Sequence, residues 1–173
     1  MMWKRELERD LTVFSLVGEA SSHLIVRNGR SVLMDCHSAF LGRWIERHRL
    51  PSPDLILHTQ VQPEHCREGG RFSGASILVH EPLRELASDR TAWERKARTT
   101  WEHPEEWMTT MGREPYGIAG SITIWPPDEP LSVNGTFRPG DRISWQDLTF
   151  EVVSLPGHGR EAVGFYLVKD GKR

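Results

Sequence analysis

The feature that most constrains this chain is a change of hydrophobic period between residues 23 and 57. His23-Leu24-Ile25-Val26 and Ser31-Val32-Leu33-Met34 are β-rich runs on either side of Asn28-Gly29. An Asn-Gly pair accepts the left-handed backbone that a two-residue hairpin requires, so the two runs are expected to pair. From Phe40 the period becomes helical: Phe40, Leu41, Trp44, Ile45 and His48 recur on one helical face, with Ser38 as the expected N-cap, over about residues 38–49. Pro51 and Pro53 close that helix. Leu55-Ile56-Leu57 is a short continuous apolar run, as a strand buried on both faces requires. Strand, helix and strand in this order predict a βαβ unit and an α/β fold.

Strands are also expected at Leu11–Val17, Ala75–Val79, Ile118–Ile124, Leu131–Val133, Leu148–Val153 and Val163–Val168. Residues 59–74, with Pro63, Gly69, Gly70 and Gly74, read as a loop with a glycine-rich end. A charged stretch at about 82–112 reads as a helical insertion, with helices over about 82–88, 90–102 and 104–112 and Pro104 as a divider. Trp93, Ala97, Trp101, Trp107, Met108 and Met111 would form its core-facing stripe. Phe137 to Arg142, with Pro139 and Gly140, reads as a turn.

A length of 173 residues fits about one domain, so residues 1–173 are read as a single unit able to bury a core. Lys plus Arg is 22 against 24 Asp plus Glu, which gives no basic footprint for a nucleic-acid partner. No apolar run reaches the ~18 residues of a membrane helix. The charged start, Met1 to Glu6, lacks the apolar core of a secretory signal, and two cysteines make no disulfide framework. These features set the expectation of a cytoplasmic chain without nucleic-acid or membrane partners.

Three ordered stretches resemble the metallo-β-lactamase fold superfamily. His23 to Val26, a turn, and Val32-Leu33-Met34-Asp35 are similar to its opening hairpin ending in aspartate. Asp54-Leu55-Ile56-Leu57-His58-Thr59-Gln60-Val61-Gln62-Pro63-Glu64-His65, followed by Gly69-Gly70, is similar to the strand that ends in Thr-His-x-His-x-Asp-His. Leu155-Pro156-Gly157-His158-Gly159 and Val163 to Leu167 are similar to its Pro-Gly-His-Thr segment and following strand. The resemblance implies an αββα sandwich of two mixed sheets flanked by helices, incomplete in its second half. It also implies hydrolysis of an ester, thioester, amide or phosphoester of a small molecule by a hydroxide on zinc or another divalent metal.

Residue by residue, the resemblance makes Glu64, His65 and His158 the metal ligands. Gln60 and Gln62 stand at two histidine positions, where a neutral amide oxygen is a weak donor for zinc. Asp35 would hydrogen-bond neighbouring loops and orient ligands. The family's later Gly-Asp segment and final histidine would fall past Arg173, which suggests a self-association or a partner chain that covers the missing half. The segment around Gln60 to His65 also resembles a diiron branch of the superfamily. The alternative expectation is a non-catalytic binding or assembly relative that has lost its metal, or a fragment. Of the remaining candidates, His58 reads as a strand-end histidine held by a backbone carbonyl, His37 as a solvated loop residue, His48 as a packed one and Cys66 as a small apolar side chain.

Overall fold

The computed structural model describes residues 2–17, 20–37, 40–61, 63–66, 68–92, 95, 130–155 and 161–169, with the backbone alone at Pro63 and Glu64. Seven strands form one mixed sheet in sequence order: β1 (Met2–Glu8), β2 (Leu11–Val17), β3 (Ser21–Arg27), β4 (Arg30–Met34), β5 (Pro53–Leu57), β6 (Ser76–His80) and β7 (Val133–Phe137). The first four run antiparallel, and β4 to β7 run parallel. Helix α1 (Leu41–Arg47) joins β4 to β5, so the unit predicted from the change of period is present. A second sheet holds β8 (Arg142–Trp145), β9 (Leu148–Ser154) and β10 (Val163–Val168), antiparallel throughout. Among the described residues no helix is long and apolar enough to cross a membrane.

The sheet alternates its side chains between two cores. Leu24, Leu33, Ile56, Ile77 and Val79 face Leu41 and Ile45 of α1 and Leu83 and Ala87 beside β6. Ile25, Val32, Leu55 and Leu57 face Trp145, Leu148, Phe150 and Val152 of the second sheet. This is why β5 reads as an unbroken apolar run: Leu55, Ile56 and Leu57 are buried on opposite faces. The hairpin tips lock the sheets together. Arg27 donates to both carboxylate oxygens of Asp147 at 3.0 and 2.6 Å, and Gln146 donates to the Arg27 carbonyl at 2.9 Å. Asn28 and Gly29 have φ of 49° and 74°, the conformation that their hairpin turn demands.

Several expectations need correction. Helix α1 begins at Leu41 with Phe40 at its N-cap position, and Ser38, the expected cap, lies outside the described residues. The buried carboxylate of Glu68 instead accepts the Gly42 N–H at 2.8 Å. His48 is exposed rather than buried, yet its ring packs against Trp44 with centroids 4.7 Å apart and its Nδ1–H donates to the Trp44 carbonyl at 2.9 Å. The loop over 59–74 contains a helical turn, α2 (Pro63–Cys66), and a 3-10 turn at Gly69–Arg71. The strand expected at Leu131–Val133 is β7, shifted to Val133–Phe137. Asn134 and Gly135 are poor strand formers, yet a Cβ at Gly135 would lie 2.7 Å from Leu78 Cδ2, so close packing outweighs propensity there. The charged start forms edge strand β1. Of the helical insertion, α3 (Arg84–Ser88) follows a 3-10 turn at Glu81–Leu83. Residues 90–92 and 95 are helical, at the start of the helix expected over 90–102; the rest of that helix, the helix expected over 104–112, the Trp stripe and the strand at Ile118–Ile124 lie outside the described residues.

Candidate functional site

The site forms where the parallel strands β4 and β5 end side by side. Asp35 follows β4 in a left-handed conformation, φ 56°, and its N–H donates to the Leu57 carbonyl at 3.1 Å. That turn drives its carboxylate, 5% exposed, under the end of β5. Oδ1 accepts the Thr59 N–H at 2.9 Å, while Oδ2 accepts the Thr59 hydroxyl at 2.6 Å and His65 Nδ1–H at 2.9 Å. Thr59 is thus gripped twice, and the backbone entering Gln60 is fixed. On the other side of Thr59, its carbonyl accepts the Val163 N–H at 3.0 Å, which joins the start of β10 to the same point.

Helix α2 brings His65 back to Asp35. The Cys36 N–H donates to the His65 carbonyl at 2.7 Å and the Glu68 N–H to the Cys36 carbonyl at 3.2 Å, so the chain after β4 clamps both ends of this connection. A buried carboxylate at Nδ1 fixes the proton on that nitrogen, which leaves Nε2 as an acceptor. Gln60 supplies the donor, its amide nitrogen lying 2.6 Å from His65 Nε2. His65 is 14% exposed at its side chain, so the pair lies just under the surface.

Burial pushes the Asp35 carboxyl up, but the facing imidazoles of His58 and His65 outweigh it and hold the group down at about 2. His58 corrects the expectation of a carbonyl partner. It is fully buried, its Nδ1 lies 3.5 Å from Asp35 Oδ1, and neither ring nitrogen makes a hydrogen bond. Gly69 lies over its ring, where a Cβ would meet Leu131 Cδ2 at 2.6 Å and His58 Nε2 only at 3.4 Å, so it is Leu131 that requires the glycine. His37 is tied to β3 rather than left to solvent: its N–H donates to Ser22 Oγ at 3.0 Å, and its Nδ1 lies 2.7 Å from the same oxygen. Cys36 and Cys66 are fully buried. Burial and then the Asp35 charge push the Cys36 thiol well up, which disfavours the thiolate a metal would need.

The structure therefore brings together Asp35, Gln60 and His65. Glu64 is placed by its backbone in α2, and Gln62 and His158 lie outside the described residues. Thr59 and His58, which complete the ring of groups around Asp35, were not singled out as partners of that carboxylate. His23 is a further neighbour that sequence reasoning missed. Its Nδ1 meets Ser15 Oγ at 2.8 Å, and burial lowers its pKa against an opposing pull from Asp35. Only the pairing of β3 with β4 places His23 near Asp35, and neighbouring sequence carries no signal of it.

The donor chemistry fits a divalent ion in one respect. An imidazole whose Nδ1–H is clamped by a buried carboxylate keeps Nε2 as its acceptor, as metal-binding histidines do. Among the described residues no group of three His, Cys, Asp or Glu side chains gathers around it.

No protein-family model matches the chain, and no curated protein matches it. Solved structures do. A metallo-β-lactamase with a HARLDQ motif from Cronobacter sakazakii is 14% identical, with 95% of this chain and 59% of that chain covered at a TM-score of 0.62. A metallo-β-lactamase family protein from Thermus thermophilus is 21% identical, with 95% and 60% covered at 0.61. BJP-1, a subclass B3 metallo-β-lactamase of Bradyrhizobium japonicum, is 18% identical, with 93% and 56% covered at 0.59. The chain has the metallo-β-lactamase fold. It spans 59%, 60% and 56% of the lengths of these three structures.

Proposed function

We propose that this chain carries one side of a single-ion, metal-dependent hydrolase centre that cleaves an ester, thioester, amide or phosphoester of a small molecule. The observation that supports it is the 2.9 Å bond from His65 Nδ1–H to Asp35, which leaves Nε2 as the nitrogen that can bind an ion. Glu64, His65 and His158 would hold the ion, zinc first among the candidates. A divalent ion there supplies Lewis acidity that brings the pKa of a bound water toward neutrality. Asp35 orients His65 and raises its basicity. Thr59 keeps both carboxylate oxygens occupied, so the carboxylate does not turn toward the ion itself. Gln60 and Gln62 weaken the neighbouring ion position, which is why one ion is proposed and not two. The two buried cysteines go with a reducing, cytoplasmic setting.

The 2.6 Å contact between Gln60 and His65 favours a second reading, a metal-free relative that uses the same scaffold to bind a partner or a second copy of itself. A screen of ester, thioester, amide and phosphoester substrates with the zinc- or manganese-loaded chain separates the two. Turnover that disappears in His65→Ala supports the hydrolase. Turnover absent from every loaded sample, or unchanged in His65→Ala, supports the metal-free reading.

A further inference from the structure

A glutamine at a ligand position has two opposite ways to act, and the atoms that meet here distinguish them. As a ligand it would offer its amide oxygen to an ion. The atom 2.6 Å from His65 Nε2 is instead the Gln60 amide nitrogen. The assignment of that nitrogen follows from the other side of the ring. Asp35 Oδ2 lies 2.9 Å from His65 Nδ1 and also accepts the Thr59 hydroxyl, so it is Nδ1 that carries the proton toward the carboxylate. Nε2 has only a lone pair to offer, so the group that approaches it to 2.6 Å must donate, and in Gln60 only the NH2 end donates. The donor is also held in place. Thr59, the preceding residue, gives both its N–H and its hydroxyl to Asp35, and Val61, the following one, is 3% exposed in the core.

We propose that Gln60 is a latch on His65. In the ion-free chain its amide N–H occupies the one lone pair that a metal would use, and loading requires the Gln60 side chain to swing away. Gln60 is thus a positioning residue that opposes metal binding from a ligand's position. This rests on the hydrolase reading for its purpose, but not for its geometry. The physical consequence is a sign. Removing a ligand weakens binding, whereas removing a latch strengthens it by about the worth of one intramolecular hydrogen bond, about fivefold.

The test is zinc affinity of the full chain by competition with a chromogenic chelator, for wild type, Gln60→Ala and Gln60→Asn. Asn keeps an amide but is one methylene too short to reach His65. The latch predicts that both variants bind zinc about fivefold more tightly than wild type. Zinc binding that is measurable in all three chains and is weaker or unchanged in both variants overturns it. Nitrogen NMR of the histidine rings in the ion-free chain supplies a readout that needs no metal. With the latch, the His65 Nε2 resonance has the shift of a hydrogen-bonded acceptor and moves in Gln60→Ala, while Nδ1 stays protonated. An Nε2 resonance that does not move overturns the latch. If none of the three chains binds zinc but Nε2 moves, the hydrolase reading fails and the latch stands. Unfolding curves for the variants, expected to stay cooperative with midpoints lowered by no more than the worth of that one bond, show that the comparison is made on folded protein.

Discussion

At the scale of single residues, Asp35 controls the site. Its carboxyl titrates at about 2 in the folded chain against an ordinary 3.8. Because the folded value is the lower one, the unfolded chain binds the proton first as pH falls. The stability this difference contributes, about 2 kcal/mol, is complete above pH ~4 and is lost as pH falls toward 2. Asp35→Asn removes the charge facing His58 and His65 and places an NH2 group among donors. We expect a loss of about 3 kcal/mol in urea unfolding at pH 7, with a flatter decline in acid. His23 acts over a different range. Burial lowers its pKa, so between the lowered value and about 6.5 the unfolded state binds more protons, and stability falls as pH drops below about 6.5. Urea midpoints at pH 7.5 and 5.5 should differ in wild type, and the gap should shrink in His23→Gln. The aspartate that closes the first hairpin is visible in sequence. Its partners Thr59 and His65 are not, because they lie 24 and 30 residues further on and reach it only when β4 and β5 pair in parallel.

At the scale of elements, legibility follows how local the cause is. The hairpin at Asn28-Gly29, α1 and β5 come from turn chemistry and period, and each is present. The amino end of α1 is not local. Its Gly42 N–H is satisfied by Glu68, 26 residues away and itself 8% exposed. Glu68→Ala should therefore cost about 1–2 kcal/mol, as the loss of a buried cap does, and lower the thermal midpoint. A wild-type midpoint in this variant would mean that water replaces the carboxylate. Strand β1 escaped notice because all seven of its residues are exposed, so it has no inward face to impose a period. Lys4, Arg5, Glu6 and Glu8 place charge on this sheet edge, and the register slip between Glu6 and Glu8 bends it, both of which discourage further pairing. Helix α2 is only four residues long and opens at Pro63, too short for its pattern to stand out from a loop.

At the scale of the whole molecule, the order of motifs carried more than any one of them. Each match at the ends of β4 and β5 and around β10 is weak alone, yet β4 and β5 bring Asp35, Gln60 and His65 to one sheet edge, and the Val163–Thr59 bond ties β10 to it. What sequence could not show is that His65 and Gln60 face each other, since that depends on the clamp made by Cys36 and Glu68. Two histidines in place of Gln60 and Gln62 should convert the contact into competing ligands. Gln60→His with Gln62→His is expected to raise zinc affinity at least tenfold in the chelator assay. The most direct measurement of the central claim is metal content per chain, by plasma mass spectrometry, on protein purified without chelator or metal-affinity resin and then dialysed against zinc, manganese or iron. The account predicts about one equivalent that falls away in His65→Ala. A content near zero after dialysis, or one equivalent that His65→Ala leaves in place, would contradict it.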